Sequence, residues 1–184
     1  MKQKAVFLDR DGTLIKEKHY LKNSCEIEII KGVVEGLHML QDLDFKLIII
    51  TNQSGIKRGY FTEKDVEKVH LGLRSLLLKH GIEIDGIYYS SDLPEEVSST
   101  RKPRTGLIER AERELDIQLD GSYVLGDKRI DIEMGKRKRL KTILVLTGYG
   151  MEHKGKVKPD YVAENVYDAA QWIKSMEDEG INKS

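Results

Sequence analysis

Near the start of the chain the apolar run Ala5-Val6-Phe7-Leu8 ends in Asp9-Arg10-Asp11-Gly12. Two carboxylates one residue apart at the tip of a buried strand lose hydration and repel each other. That cost is tolerable when a cation sits between them. It is useful when one carboxylate attacks an electrophile while the other moves a proton. Gly12 allows a sharp turn that brings backbone N–H groups close to a ligand. Three other clusters have the same character. Thr51-Asn52-Gln53-Ser54 follows Leu47-Ile48-Ile49-Ile50, Arg101-Lys102-Pro103 lies in a polar loop, and Gly126-Asp127-Lys128 follows Tyr123-Val124-Leu125.

Acids, a hydroxyl and a basic pair together suit phosphoryl transfer. Asp9 would attack phosphorus. Asp11 would protonate the departing alkoxide, then deprotonate the water that hydrolyses the acyl phosphate. Such acid–base help is typically worth ~10²–10⁴-fold. Thr51 and nearby N–H groups would bind phosphate oxygens, and Lys102 would neutralise charge developing on the transferring group. Magnesium, which prefers oxygen ligands and keeps several waters, could be held by Asp9, the carbonyl of Asp11, and Asp127.

These residues need a scaffold that gathers them. Four-residue apolar runs without polar alternation read as strands buried on both faces. Helical spacing appears over residues 32–43, again after Thr62 as N-cap with Asp65 in the first turn, and around Leu107, Ile108, Ala111 and Leu115. A short helix is expected around Ile130 and Met134, and a last one from Asn165 to about Met176. Further strands are expected at Ile87-Tyr88-Tyr89, Thr142-Ile143-Leu144-Val145-Leu146 and Tyr161-Val162-Ala163. Alternating strands and helices imply an α/β fold, a Rossmann-like parallel sheet with helices on both faces. Ligands bind beyond the carboxyl ends of such strands, which is where all four clusters fall. Residues 14–31 are mixed and polar, as a loop over the site would be.

At 184 residues one domain is expected, over residues 1–176, with a disordered tail over 177–184. Lysine plus arginine and aspartate plus glutamate balance at 31 each, which argues against nucleic-acid and membrane surfaces. The single cysteine, Cys25, excludes an internal disulfide. Asp9 and Arg10 interrupt any signal-peptide core, so a cytoplasmic monomer acting on a small phosphorylated metabolite is expected. His38, His70, His80 and His153 read as packing or solvated residues, whereas His19 lies near the site.

The four clusters, in this order, resemble the motifs of the haloacid dehalogenase (HAD) superfamily. Asp9 matches its nucleophile, Asp11 its acid/base, Thr51 and Lys102 its phosphate-binding residues, and Asp127 its metal ligand. Asp131 matches an additional acid that would hold either metal-bound water or a neighbouring side chain. Thr51-Asn52-Gln53-Ser54-Gly55-Ile56-x-Arg58-Gly59-Tyr60-Phe61 and Arg101-Lys102-Pro103-x-x-Gly106 are similar to the histidinol-phosphatase branch. Within it the heptose-bisphosphate phosphatases match best. The resemblance implies substrate contacts at Glu17, Lys18, His19, Tyr20, Thr51, Asn52, Gln53, Ser54, Arg101, Lys102 and Lys128. It also implies magnesium as cofactor and a sugar phosphate as substrate, with no separate cap domain. Histidinol phosphate is the rival substrate, and a non-catalytic phosphometabolite sensor is the rival class.

One departure matters. Heptose-bisphosphate phosphatases usually carry a cysteine/histidine zinc site in the third loop, where this chain has Ser90, Asp92, Ser98 and Thr100. Hydroxyls and one carboxylate do not make a structural zinc site. No zinc is expected, and the loop must be ordered by its own hydrogen bonds, by Pro94 and Pro103, or by substrate.

Overall fold

The strand carrying the two acids is buried on both sides. In β1 (Gln3–Leu8), Val6 and Leu8 join one hydrophobic cluster, Ala5 and Phe7 the other. That division follows from the two-residue period of a strand inside a parallel sheet. A computed structural model describes residues 2–181. After a short 3-10 turn at Ser24–Glu26, the remaining strands and α-helices, in chain order, are α1 (Val33–Asp42), β2 (Lys46–Asn52), α2 (Glu63–Leu78), β3 (Gly86–Ser90), α3 (Gly106–Glu114), β4 (Ile117–Gly126), α4 (Arg129–Arg137), β5 (Lys141–Val145), α5 (Gly150–His153), β6 (Tyr161–Ala163) and α6 (Val166–Ile181).

The strands form one parallel sheet in the order β3-β2-β1-β4-β5-β6. Helices α1, α2 and α6 bury their apolar faces on the side of Val6 and Leu8. Helices α3 and α4 cover the side of Ala5 and Phe7. The chain moves outward from β1 to β3, then returns to place β4 on the other flank of β1. The crevice beyond the carboxyl ends of β1 and β4 is therefore the switch point at which such sheets bind ligands.

The helix signals hold locally. Thr62 caps α2 as expected: Asp65 N donates to Thr62 Oγ1 (3.2 Å) and Thr62 N to Asp65 Oδ2 (2.9 Å). At the start of α6, Asp168 N donates to Asn165 Oδ1 (3.1 Å).

Four local expectations are corrected. The fourth strand starts six residues before Tyr123, through Asp120-Gly121, a pair that reads as a turn. There the pairing of β1 with β4 slips between Lys4 and Val6. Ser122 Oγ bridges the irregularity, accepting from Ala5 N (2.9 Å) and donating to Gln118 O (2.5 Å). The tail expected to be disordered from Glu177 is helical through Ile181, and Glu177 pairs with Lys4 Nζ (2.7 Å); residues 182–184 lie outside the described residues. The loop over residues 14–31 is not wholly polar cover, because Leu14, Ile15 and Leu21 are core residues. The short helix α5 has no periodic signal and was not expected. No helix among the described residues is long and apolar enough to cross a membrane.

Candidate active site

Asp9 follows β1 and Asp127 follows β4, so strand pairing sets them side by side: Asp9 N donates to Leu125 O (2.9 Å). Asp131, in the first turn of α4, faces the same point. Carboxylate oxygens of Asp9, Asp127 and Asp131 all lie within 4.8 Å of one another, and all three residues are buried. Lys102 reaches them from the loop after β3. Its ammonium sits 2.5 Å from Asp9 Oδ1 and 2.7 Å from Asp131 Oδ1, and donates to Ile50 O (2.9 Å). Asn52 fastens that loop, accepting from Lys102 N (3.0 Å) and donating to Lys102 O (3.3 Å).

The charges are sorted by their neighbours. Burial alone would raise Asp9, but Lys102 and Lys128 bring it below the ordinary carboxylate range. Lys128 pulls Asp127 down as well, but not enough. Burial and then the charge of Asp9 push it up to about 8. Burial raises Asp131 to about 6 against the pull of Lys102. Lys102 is raised despite its burial, because Asp131 and Asp9 hold its proton. Asp131 spends both oxygens, one on Lys102 and the other on Lys128 N (3.1 Å). Asp131 thus holds a neighbouring side chain, Lys102.

Asp127 Oδ1 is buried without a hydrogen-bond partner. A set of clustered oxygens with one acceptor unmet fits a hard divalent cation bound through oxygen, magnesium among them. Of the clustered acids, Asp9 and Asp127 are the ones left free of Lys102's second grip to hold it.

Asp11 is anchored through one oxygen. Asp11 Oδ2 accepts from Arg10 Nε (3.1 Å), Arg10 Nη2 (2.8 Å) and Gln53 Nε2 (3.0 Å). Gln53 also donates to Thr51 Oγ1 (2.8 Å). In front lies a cavity of about 200 Å³. Asp9, Asp11, Glu17, His19, Tyr20, Thr51, Asn52, Gln53, Ser54, Lys102 and Lys128 line it. Glu17 Oε2 lies 3.4 Å from Lys128 Nζ across the opening. At the rim Tyr20 packs against Tyr60, ring centres 4.4 Å apart, so the first two loops meet through aromatic side chains.

Two expected contacts are not brought into this cavity. Lys18 pairs with Glu28 Oε1 (2.6 Å), and Arg101 donates to Asp92 O (2.9 Å) beside a neighbouring cleft. The third loop is held by its own hydrogen bonds, one of the three means envisaged. Ser90, Ser98 and Thr100 hydroxyls all donate toward Asp92 Oδ2 at 3.2, 2.6 and 3.1 Å. Lys57 closes the cluster on Asp92 Oδ1 (2.7 Å).

The loop after β5 was missed as part of the site. Thr147 Oγ1 donates to Gly12 O (2.7 Å), and Tyr149 N donates to Asp127 Oδ2 (2.9 Å), which leaves Oδ1 facing the cluster. The Tyr149 ring lies 4.8 Å from Lys128 Nζ. Thr147-Gly148 at the end of a parallel strand was the available signal, since topology sends every such end to this edge. Arg10, which lines the cavity and binds Asp11, was also missed, and no local pattern marks it; His70 is buried, as a packing residue would be.

A family model for HAD-hydrolase-like proteins matches residues 99–169. The chain is 36% identical over 181 residues to the D-glycero-beta-D-manno-heptose-1,7-bisphosphate 7-phosphatase of Pasteurella multocida, covering 95% of this chain and 98% of that one. It is 39% identical over 173 residues to the protein of the same name from Helicobacter pylori (strain J99), covering 93% and 97%. Among solved structures, the D,D-heptose 1,7-bisphosphate phosphatase from B. bronchiseptica, complexed with magnesium and phosphate, superposes with a TM-score of 0.86 at 25% identity, covering 94% of this chain and 99% of that one.

Proposed function

Because the chain belongs to the haloacid dehalogenase-like phosphatases, we propose that it hydrolyses the 7-phosphate of D-glycero-D-manno-heptose 1,7-bisphosphate through a phosphoaspartyl intermediate. The observation that carries this reading is a buried, ionised Asp9 held by Lys102 at the head of a polar cavity. A carboxylate kept charged and oriented is a competent nucleophile.

Asp9 attacks phosphorus and the bond to the sugar oxygen breaks. Asp11 gives its proton to that oxygen, and the alcohol leaves. Water then attacks the phosphorus of the acyl phosphate, Asp11 takes its proton, and phosphate departs as Asp9 is restored. Thr51, Lys102 and Lys128 meet the phosphate oxygens, while Glu17, His19, Tyr20, Asn52, Gln53 and Ser54 face the rest of the substrate. Magnesium held by Asp9, Asp127 and the Asp11 carbonyl would supply charge that offsets repulsion between nucleophile and phosphate. Phosphorylated sugars do not cross membranes unaided, so this substrate class implies a cytoplasmic enzyme.

Initial rates with magnesium across a panel containing heptose bisphosphate and histidinol phosphate test the reading. Higher kcat/KM for the heptose supports it, and preference for histidinol phosphate overturns the substrate. Binding without turnover would point instead to a sensor. Asp9→Asn should stop phosphate release without unfolding the protein.

A further inference from the structure

Arg10 is the largest fully buried side chain among the described residues, 1% exposed, and its guanidinium is divided between two partners. Nε and Nη2 bind Asp11 Oδ2, while Nη1 lies 3.0 Å from His70 Nε2 on α2, 60 positions away in sequence. Arginine has donors only and keeps its charge, so His70 Nε2 is the acceptor and the ring proton sits on Nδ1. Burial and the charge of Arg10 keep that ring neutral, with its pKa lowered to about 3. The ring rests 5.6 Å from that of Tyr89.

The geometry has a chemical consequence. Asp11 Oδ2 is tied by Arg10 and Gln53, so Oδ1 is the oxygen left to exchange a proton with the leaving group. A guanidinium that touches only one carboxylate oxygen can pivot about it, and a third anchor stops that pivot. We infer that His70 is a positioning residue for the general acid, holding Arg10 so that Arg10 holds Asp11 in the rotamer that presents Oδ1. Deleting the anchor also leaves a buried N–H without an acceptor, which favours a shifted guanidinium. This inference rests on the role proposed above for Asp11.

The test uses leaving groups. An alkoxide needs a proton as it departs, whereas p-nitrophenolate hardly does. Under initial-rate conditions kcat/KM reports the steps through leaving-group departure. It is measured at saturating magnesium for a sugar phosphate that the enzyme turns over and for p-nitrophenyl phosphate, together with melting temperature, in wild type, His70→Leu, His70→Gln, Arg10→Lys and Asp11→Asn. Asp11→Asn should lose about 10²-fold or more on the sugar phosphate and far less on the aryl ester. His70→Leu should lose roughly tenfold more on the sugar phosphate than on the aryl ester, since small misplacements of catalytic groups are costly. His70→Gln offers an amide oxygen to Nη1 and should recover most of that difference.

An equal loss on both substrates in His70→Leu, or no recovery in His70→Gln, overturns the inference. Should His70→Leu fail to fold, Arg10→Lys must show the alkyl-selective loss, and an equal loss there overturns it as well. Selectivity in Asp11→Asn alone leaves the acid role standing and removes the one given to His70. Equal loss in Asp11→Asn removes the acid role itself.

Discussion

Lys102 Nζ lies 2.5 Å from Asp9 Oδ1, across 93 positions of sequence, with both side chains buried. The same ammonium contacts Asp131 at 2.7 Å. One cation thus serves two carboxylates that are largely withdrawn from water. Breaking such an arrangement from one side is costlier than the pair is worth, because the remaining charges stay buried. Lys102→Met should therefore destabilise the metal-free protein by ~3–5 kcal/mol and reduce turnover by at least about 10²-fold. Urea unfolding with and without magnesium checks the first part, and the ion should restore part of the loss. A variant as stable as wild type would refute the account of the pair.

Asp127 is pushed up to about 8 by burial and by Asp9, so at neutral pH without metal it is largely protonated. A cation binds the carboxylate, so binding must expel that proton. About one proton should leave per magnesium at pH 7, and few at pH 9. Calorimetric titration in two buffers with different ionisation heats measures this; identical heats at pH 7 would contradict it. The unfolded carboxyl titrates near the ordinary 3.8, so between that pH and about 8 the folded state holds a proton that the unfolded state lacks. This group's contribution to metal-free stability therefore falls as pH rises through that window.

Gly12 and Gly148 meet back to back beside Asp127. Both have positive φ, 88° and 52°. A Cβ on Gly148 would lie 2.3 Å from Asp127 Oδ2 and 2.6 Å from Gly12 Cα. Neither the strained backbone nor the contact leaves room for a side chain. Gly148→Ala should weaken magnesium binding by roughly tenfold or more, as changes around ligating groups commonly do. Manganese binding followed by paramagnetic resonance gives this directly, independent of turnover. Unchanged affinity would show that the loop after β5 does not position Asp127.

His70 titrates near 3 in the folded protein against 6.5 for a free histidine, through burial and Arg10. Between those values the unfolded chain binds a proton that the folded chain refuses. The stability due to the neutral ring is complete above about pH 6.5 and is lost as pH falls toward 3. The limiting slope for one proton is about 1.4 kcal/mol per pH unit. Unfolding free energies of wild type and His70→Gln at pH 7 and pH 5 should differ in slope by up to that amount, the variant being flatter. Parallel slopes would mean that His70 takes up its proton while folded.

Much of this protein is visible in the linear chain. Unbroken apolar runs mark buried strands because such strands have no polar face to offer water. Parallel pairing then sends Asp9, Thr51, Lys102 and Asp127 to one edge whatever the details of packing. Residue type supplied the chemistry, since carboxylates, a hydroxyl and lysine at one place permit few reactions.

Which side chains grip one another was settled by folding. Arg10 on His70, Asp131 on Lys102, and Tyr149 N–H on Asp127 join elements far apart in sequence. Lys18 turns to Glu28, and Arg101 to the backbone of Asp92, for the same reason. Periodicity reports which face of an element is buried. It carries no information on which long polar side chain reaches which partner, because that depends on rotamers and on the distance between packed elements.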